Sequence, residues 1–242
     1  MNAGLVIAVD AMSGDHGPTV AVPAALDVLA ALPDLRVVLV GQGDVLRPLI
    51  GAAPSGRCSI AEASEVVGMN ERPQDALRRK KDSSMRVAIN LVEKGEAAAC
   101  ISAGNTGALL ATARFVLGMI PGIDRPAIVS AVPAAHGHTV MLDLGANTDC
   151  SADHLVQFAV MGSIVASDLH GTPNPRVGLL NIGEEDIKGT DEIRDAHRRL
   201  GAAPLNYVGF VEGTDIFSGE VDVVVTDGFT GNVALKSMEG LA

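Results

Sequence analysis

Short runs of Val, Ile, Leu and Ala alternate with stretches of helical periodicity along most of the chain, and each apolar run closes in a turn rich in Gly, Ser, Asn or Asp. This rhythm is the signature of repeated β-α units around a mostly parallel sheet, so the predicted fold class is α/β. The runs predict strands at Leu5–Val9, Arg36–Val40, Ala97–Ile101, Ala127–Val132, Thr139–Leu144, Val177–Asn181, Tyr207–Val211 and Val221–Thr226. Helices are predicted over Pro18–Ala31, Ser84–Lys94, Ala108–Leu117, Asp153–Leu169 and Asp191–Leu200. Pro18 suits a first helical position, where no N–H bond is lost. Ser83 or Ser84 caps the second helix and Gly95 stops it, while Thr190 caps the last, with acids in its first turn. One pair of strands breaks the rhythm. The link "PAAHGH" before Thr139 is too short for a crossover helix, so the strands on either side of it are predicted to be antiparallel neighbours.

In an open parallel sheet, ligands bind beyond the carboxyl ends of the strands, which directs attention to the turns. Five of them share a character: "DAMSGDHG" from Asp10, "SAGNTGA" from Ser102, "DLGANTDCS" from Asp143, "NIGEEDIKGTD" from Asn181 and "TDGFTGN" from Thr226. They are expected to lie along one rim. The second carries two glycines with Ser, Asn and Thr between them at the start of a helix. Backbone N–H groups and hydroxyls there suit an anion such as phosphate, although an ordinary tight β-α turn has the same composition. Lys188 stands in a loop of acids, where it is either a point charge for phosphate or carbonyl oxygen, or a solvated lysine balancing its neighbours. Asn147 and Asn232 offer amide donors, but Asn in a turn also serves its own backbone. Neither a Walker loop nor G-x-G-x-x-G is present.

Composition narrows the classes. The chain has 242 residues, 48% of them hydrophobic, which is enough to bury a large core as one big domain or two small ones; it is read as a single domain spanning residues 1–242. A formal net charge of -11 leaves no basic footprint for nonspecific nucleic-acid binding. The one dense basic run is "RRKK", Arg78, Arg79, Lys80 and Lys81, either a solvated face or a dock for an acidic partner. Three scattered cysteines without C-x-x-C fit neither a zinc site nor a disulfide framework, and the six histidines lack metal-ligand spacing, so no metal and no cofactor are expected. With no G-x-S-x-G elbow, no covalent nucleophile is indicated. The cysteine pattern suits a reducing cytoplasm, and with neither a secretory leader nor an apolar run of membrane-spanning length in the pattern a soluble protein is expected, with peripheral membrane contact left open.

Taken together and in order, "IAVDAMSGDHGP", "RRKKDSSM", "ISAGNTGALLA", "MLDLGANTDC", "NIGEEDIKGTD" and "VVVTDGFTGNVALKSMEG" resemble the PlsX family of phosphate acyltransferases, from Val6 to Gly240. The resemblance implies transfer of a fatty acyl group from acyl carrier protein to inorganic phosphate, giving acyl phosphate for phospholipid synthesis. It implies a three-layer αβα fold similar to isocitrate and isopropylmalate dehydrogenases and to phosphotransacetylases. It also implies a homodimer in the cytoplasm that can associate with the membrane surface. Family members continue beyond the helix that starts near Asn232, so the C-terminal part of the family fold is expected to be missing from this chain. In that light Ser102, Gly104, Asn105 and Thr106 are expected to bind phosphate, Lys188 to position phosphate or polarise the thioester carbonyl, and Asn232 to donate to the oxyanion. Asp143, Asn147 and Asp227 would organise these groups, and Asp10, Gly14, Asp15 and His16 would line the site. Because acyl carrier protein is acidic, the basic run gains a partner. The rival readings are a phosphotransacetylase-like enzyme using coenzyme A, a dehydrogenase on the related fold, and a module that binds acyl carrier protein without turnover.

Overall fold

The computed structural model describes residues 4–51 and 56–241. Contacts gather the chain into two compact units, Met1–Gly118 and Met119–Ala242, each with its own sheet.

The N-terminal unit contains strands β1 (Val6–Asp10), β2 (Arg36–Gly41), β3 (Cys58–Glu62) and β4 (Ala99–Ser102). Its helices are α1 (Pro18–Ala31), α2 (Gly43–Ile50), α3 (Pro73–Arg79), α4 (Ser84–Glu93) and α5 (Thr106–Leu117). The sheet order is β3-β2-β1-β4, every pair parallel. Side chains alternate across a strand, and β1 shows the result. Ile7 and Val9 pack with Val22, Ala25 and Leu29 of α1 and Leu46 of α2, while Val6 and Ala8 pack with Ala88, Leu91 and Val92 of α4. Both faces of this sheet are therefore covered, which is why its central strands read as continuous apolar runs. Full burial of a Leu such as Leu29, Leu39 or Leu46 contributes about 1.5–3 kcal/mol each.

The C-terminal unit runs β5 (Val129–Pro133), β6 (His138–Leu142), α6 (Ala152–Asp168), β7 (Val177–Leu180), α7 (Asp191–Gly201), β8 (Tyr207–Val211), a 3-10 turn at Asp215–Phe217, β9 (Val223–Val225) and α8 (Gly228–Glu239). Its order is β5-β6-β9-β7-β8. The β5-β6 pair is antiparallel, as the short link predicts, and the other pairs are parallel. Val140, Leu142, Val223 and Val225 face Leu155, Phe158 and Ala159 of α6 and Ala196 and Leu200 of α7. Met141 and Val224 face the opposite way, toward Ile216 and the α8 residues Ala234, Leu235 and Met238. Helix, sheet and helix form three layers in each unit.

All eight predicted strands and all five predicted helices occur, with ends moved by a few residues; Val221–Thr226 shortens to Val223–Val225. The pattern misses β3, α2 and α3. In β3, "CSIAE" leaves no residue fully buried, because it is the edge strand of its sheet. Helix α2 contains Pro48, and the seven-residue α3 carries mostly charged and polar side chains. The helix expected near Asn232 begins at Gly228, capped by Asp227.

Candidate active site

In the N-terminal unit the first two turns meet. Asp10 and Ser102 are register partners at the ends of β1 and β4. The Ser102 hydroxyl donates to Asp10 Oδ2 at 2.6 Å and accepts from the Gly104 N–H at 3.1 Å. Asp10 therefore ties the ends of the two strands together through the Ser102 hydroxyl. The turns pack closely. Gly14, at φ +92, lies against Ala103, and a Cβ on Gly104 would come within 2.8 Å of Ser13 Cβ and 2.9 Å of Met85 Cε. Asp10 Oδ1, Ser13 Oγ and Ser84 Oγ are buried there without a partner among the described residues. Asp15 and His16 sit exposed at the tip of the opening turn, where the His16 carbonyl accepts from the Thr19 hydroxyl.

Asn105 caps α5. Its side-chain oxygen accepts from the Ala108 N–H at 3.0 Å, and its amide donates to the carbonyls of Met69 at 2.7 Å and Glu71 at 2.9 Å. Two of the three predicted side-chain ligands in this turn thus have other work: the Ser102 proton is directed to Asp10, and Asn105 ties the turn to the loop before α3. What stays open among the described residues is the exposed first turn of α5, with the N–H groups of Thr106 and Gly107 and the Thr106 hydroxyl.

The basic run divides in the same way. Lys80 donates to the Val66 carbonyl at 2.5 Å and pairs with Glu71 at 2.7 Å, holding the Glu71 carboxyl below its ordinary range chiefly through that hydrogen bond. Arg79 lies 3.8 Å from Asp75. Arg78, Arg79 and Lys81 are exposed, whereas Lys80 is half-buried and structural.

The other three turns belong to the C-terminal unit, at the ends of the adjacent strands β6, β9 and β7. Asp143 is fully buried and is saturated with donors. Its Oδ1 accepts from the N–H groups of Ile128, Gly145 and Ala146 at 3.0, 3.2 and 2.9 Å, and its Oδ2 from the Asn147 N–H and amide at 2.7 and 2.8 Å. Asn147 also donates to the Pro126 carbonyl at 2.8 Å, so both amide hydrogens are engaged and it organises the loop instead of serving an oxyanion. A Cβ on Gly228 would fall 2.5 Å from the Asn147 carbonyl oxygen, which is why glycine must start α8 so near this loop. Asp227 accepts from the Thr230 N–H and hydroxyl, both at 2.8 Å. Asn232 is exposed; its amide makes one long bond to the Leu144 carbonyl, 3.3 Å, and keeps its second hydrogen.

Lys188 is half-buried and, among the described residues, forms no ion pair. Its acidic neighbours turn elsewhere, Asp186 toward His197 at 3.7 Å and Asp191 to Arg194. Arg194 Nη1 also donates to the Gly189 carbonyl at 2.5 Å, tying down the loop that carries the lysine.

Beside these loops lies a cavity of about 540 Å3 lined by Arg125, Cys150, His154, Thr190 and Asp227, among others. Three helix caps border it: Ser151 of α6, Thr190 of α7 and Asp227 of α8. Burial pushes the Cys150 thiol up, which keeps it protonated near neutral pH. Sequence reasoning passed over Arg125 because it precedes a strand. Since β5 is antiparallel to β6, pairing Val129 with Leu142, the segment before β5 falls at the carboxyl end of β6. The antiparallel pairing was the signal that could have found it. No group of three or more His, Cys, Asp or Glu that could hold a metal ion occurs among the described residues.

Comparison with known proteins first defines the fold. A phosphotransacetylase from Streptococcus pyogenes superposes with a TM-score of 0.74 at 18% identity, covering 100% of this chain and 83% of that one. The fold is thus of the phosphotransacetylase type. The family then follows from sequence. Residues 5–242 match the family described as fatty acid synthesis protein. The phosphate acyltransferase of Alkalilimnicola ehrlichii is 60% identical over 245 residues, 100% of this chain and 72% of the relative; that of Methylococcus capsulatus is 61% identical over 239 residues, 98% and 70%. The chain belongs to the phosphate acyltransferase family and is an acyltransferase.

Proposed function

We propose that the chain moves a fatty acyl group from the thioester of acyl carrier protein to inorganic phosphate, releasing acyl phosphate for phospholipid synthesis and the free carrier thiol. The observation that supports this most is the 60% identity along the whole chain to a phosphate acyltransferase. In the reaction a phosphate oxygen attacks the thioester carbonyl, the carbonyl oxygen takes up negative charge, and the carbon–sulfur bond then breaks with the sulfur leaving as thiolate to be protonated. Phosphate is already a competent nucleophile, so the protein's task is to hold anions and stabilise the oxyanion.

The residues have matching means. The free N–H groups and hydroxyl at the first turn of α5, from Thr106 and Gly107, suit phosphate, with Ser102, Gly104 and Asn105 shaping the turn. The ammonium of Lys188, without an ion pair among the described residues, either holds phosphate or polarises the carbonyl, and the remaining amide hydrogen of Asn232 is a donor for the oxyanion. Arg78, Arg79 and Lys81 are the exposed part of the proposed carrier-protein dock. A cytoplasmic homodimer with peripheral membrane contact belongs to the same reading. Lys188→Ala tests it: with acyl carrier protein thioester and phosphate, turnover trapped as hydroxamate falls about 100-fold or more, while unaltered turnover removes the lysine from the chemistry.

A further inference from the structure

The cavity at the caps of α6, α7 and α8 holds a cation that has no ion-pair partner among the described residues. Arg125 is half-buried, and its Nη1 donates to the Asp149 carbonyl at 3.1 Å. A guanidinium carries five N–H groups, and among the described residues no carboxylate lies within ion-pair distance of this one. Drawing a cation part-way out of water without a counter-charge is costly, so an anion in the cavity would relieve it.

Two neighbouring side chains are donors. The Ser151 N–H donates to His154 Nδ1 at 3.1 Å, so the neutral imidazole carries its proton on Nε2 and is a donor there. Thr190 Oγ1 accepts from the Ile193 N–H, leaving its own proton to give. Among the acids of the wall, both Asp227 oxygens are held by Thr230, while Asp149 and Glu192 are exposed, where water screens them. Leu155 and Ile193 add an apolar strip. The volume, about 540 Å3, suits a small organic molecule better than a lone ion.

We propose that this cavity is a phosphoryl-binding subsite in which Arg125 recognises the phosphoryl group. The proposal rests on the phosphate acyltransferase reading for its ligand class. That reaction brings in two phosphoryl-bearing reactants, inorganic phosphate and the phosphate ester of a pantetheine arm, and either source presents the same oxygens to Arg125.

Cys150 lines the same cavity and reports its occupancy. Maleimide labelling of the intact protein, followed peptide by peptide, would be run with inorganic phosphate, 4′-phosphopantetheine, pantetheine lacking the phosphate, and chloride at matched ionic strength. At ten times the dissociation constant of a bound phosphoryl ligand, Cys150 labelling slows about tenfold by mass action, while Cys58 and Cys100 label unchanged. Arg125→Ala, checked for native circular dichroism, removes the protection and weakens calorimetric binding about tenfold or more. Protection by phosphate alone identifies the ion as the ligand, and protection by phosphopantetheine alone identifies the arm. The proposal is overturned if neither protects the wild-type protein, if pantetheine or chloride protects as well, or if a folded Arg125→Ala variant stays protected. The wild-type arms decide the question even if the variant does not fold. Acyl phosphate formed without Cys150 protection removes the subsite and leaves the reaction. Protection without turnover of any thioester does the reverse.

Discussion

At the scale of single residues, the buried polar groups fall into two kinds with opposite energetics. Asp143 accepts five hydrogen bonds, four of them from backbone N–H groups. Asp143→Ala leaves those donors buried and unpaired, and is expected to cost about 3–5 kcal/mol in denaturant titration. Ser84 is fully buried and its hydroxyl has no partner among the described residues. Ser84→Ala removes an unsatisfied group from a helix, so the same titration is expected to show no loss, or a gain of about 1 kcal/mol. Were Ser84→Ala to cost as much as Asp143→Ala, the hydroxyl would have an undescribed partner. The distinction was invisible in sequence. Asp10 and Asp143 both follow an apolar run and precede a glycine turn, yet one meets a serine far along the chain and the other its own loop.

At the scale of elements, the start of β7 is fastened to the start of β9 by one ion pair. Arg176 donates through Nε to Asp222 Oδ2 at 3.0 Å and through Nη2 to Oδ1 at 2.9 Å, and its backbone N–H adds a bond to Oδ2 at 2.7 Å. The guanidinium holds the Asp222 carboxyl below its ordinary value. A depressed carboxylate contributes stability above its unfolded pKa, and that contribution fades as pH falls from about 4 through the lower folded value. Asp222→Asn is therefore expected to lower the melting temperature at neutral pH, with the difference from wild type closing in acid. A difference independent of pH would place the effect in packing rather than in charge. Element type was legible wherever burial repeated with a clear period: β1 and β2, with helix α1, are read almost to the residue. Edge strand β3 lies half in solvent, and that exposure blurs the alternation on which the reading depends.

At the scale of the whole molecule, the position of the turns was legible because each follows a strand, and parallel strands place such turns at one end of their sheet. The division of labour among them was not. Ser102, Asn105 and Asn147 have the right chemistry by type, but each gives its side-chain hydrogens to the protein itself. Among the described residues Lys188 and the Thr106 hydroxyl give none to the protein, and Arg125 gives only one bond, to the Asp149 carbonyl. Which residues are left over depends on pairings between distant segments, so only the folded chain reveals it. The central claim, acyl transfer to inorganic phosphate, is tested most directly by phosphorus NMR of phosphate incubated with acyl carrier protein thioester and this protein. The account predicts a new acyl phosphate resonance growing in step with free carrier thiol. Thiol release with phosphate unchanged, or acyl phosphate formed only from a coenzyme A thioester, would contradict it.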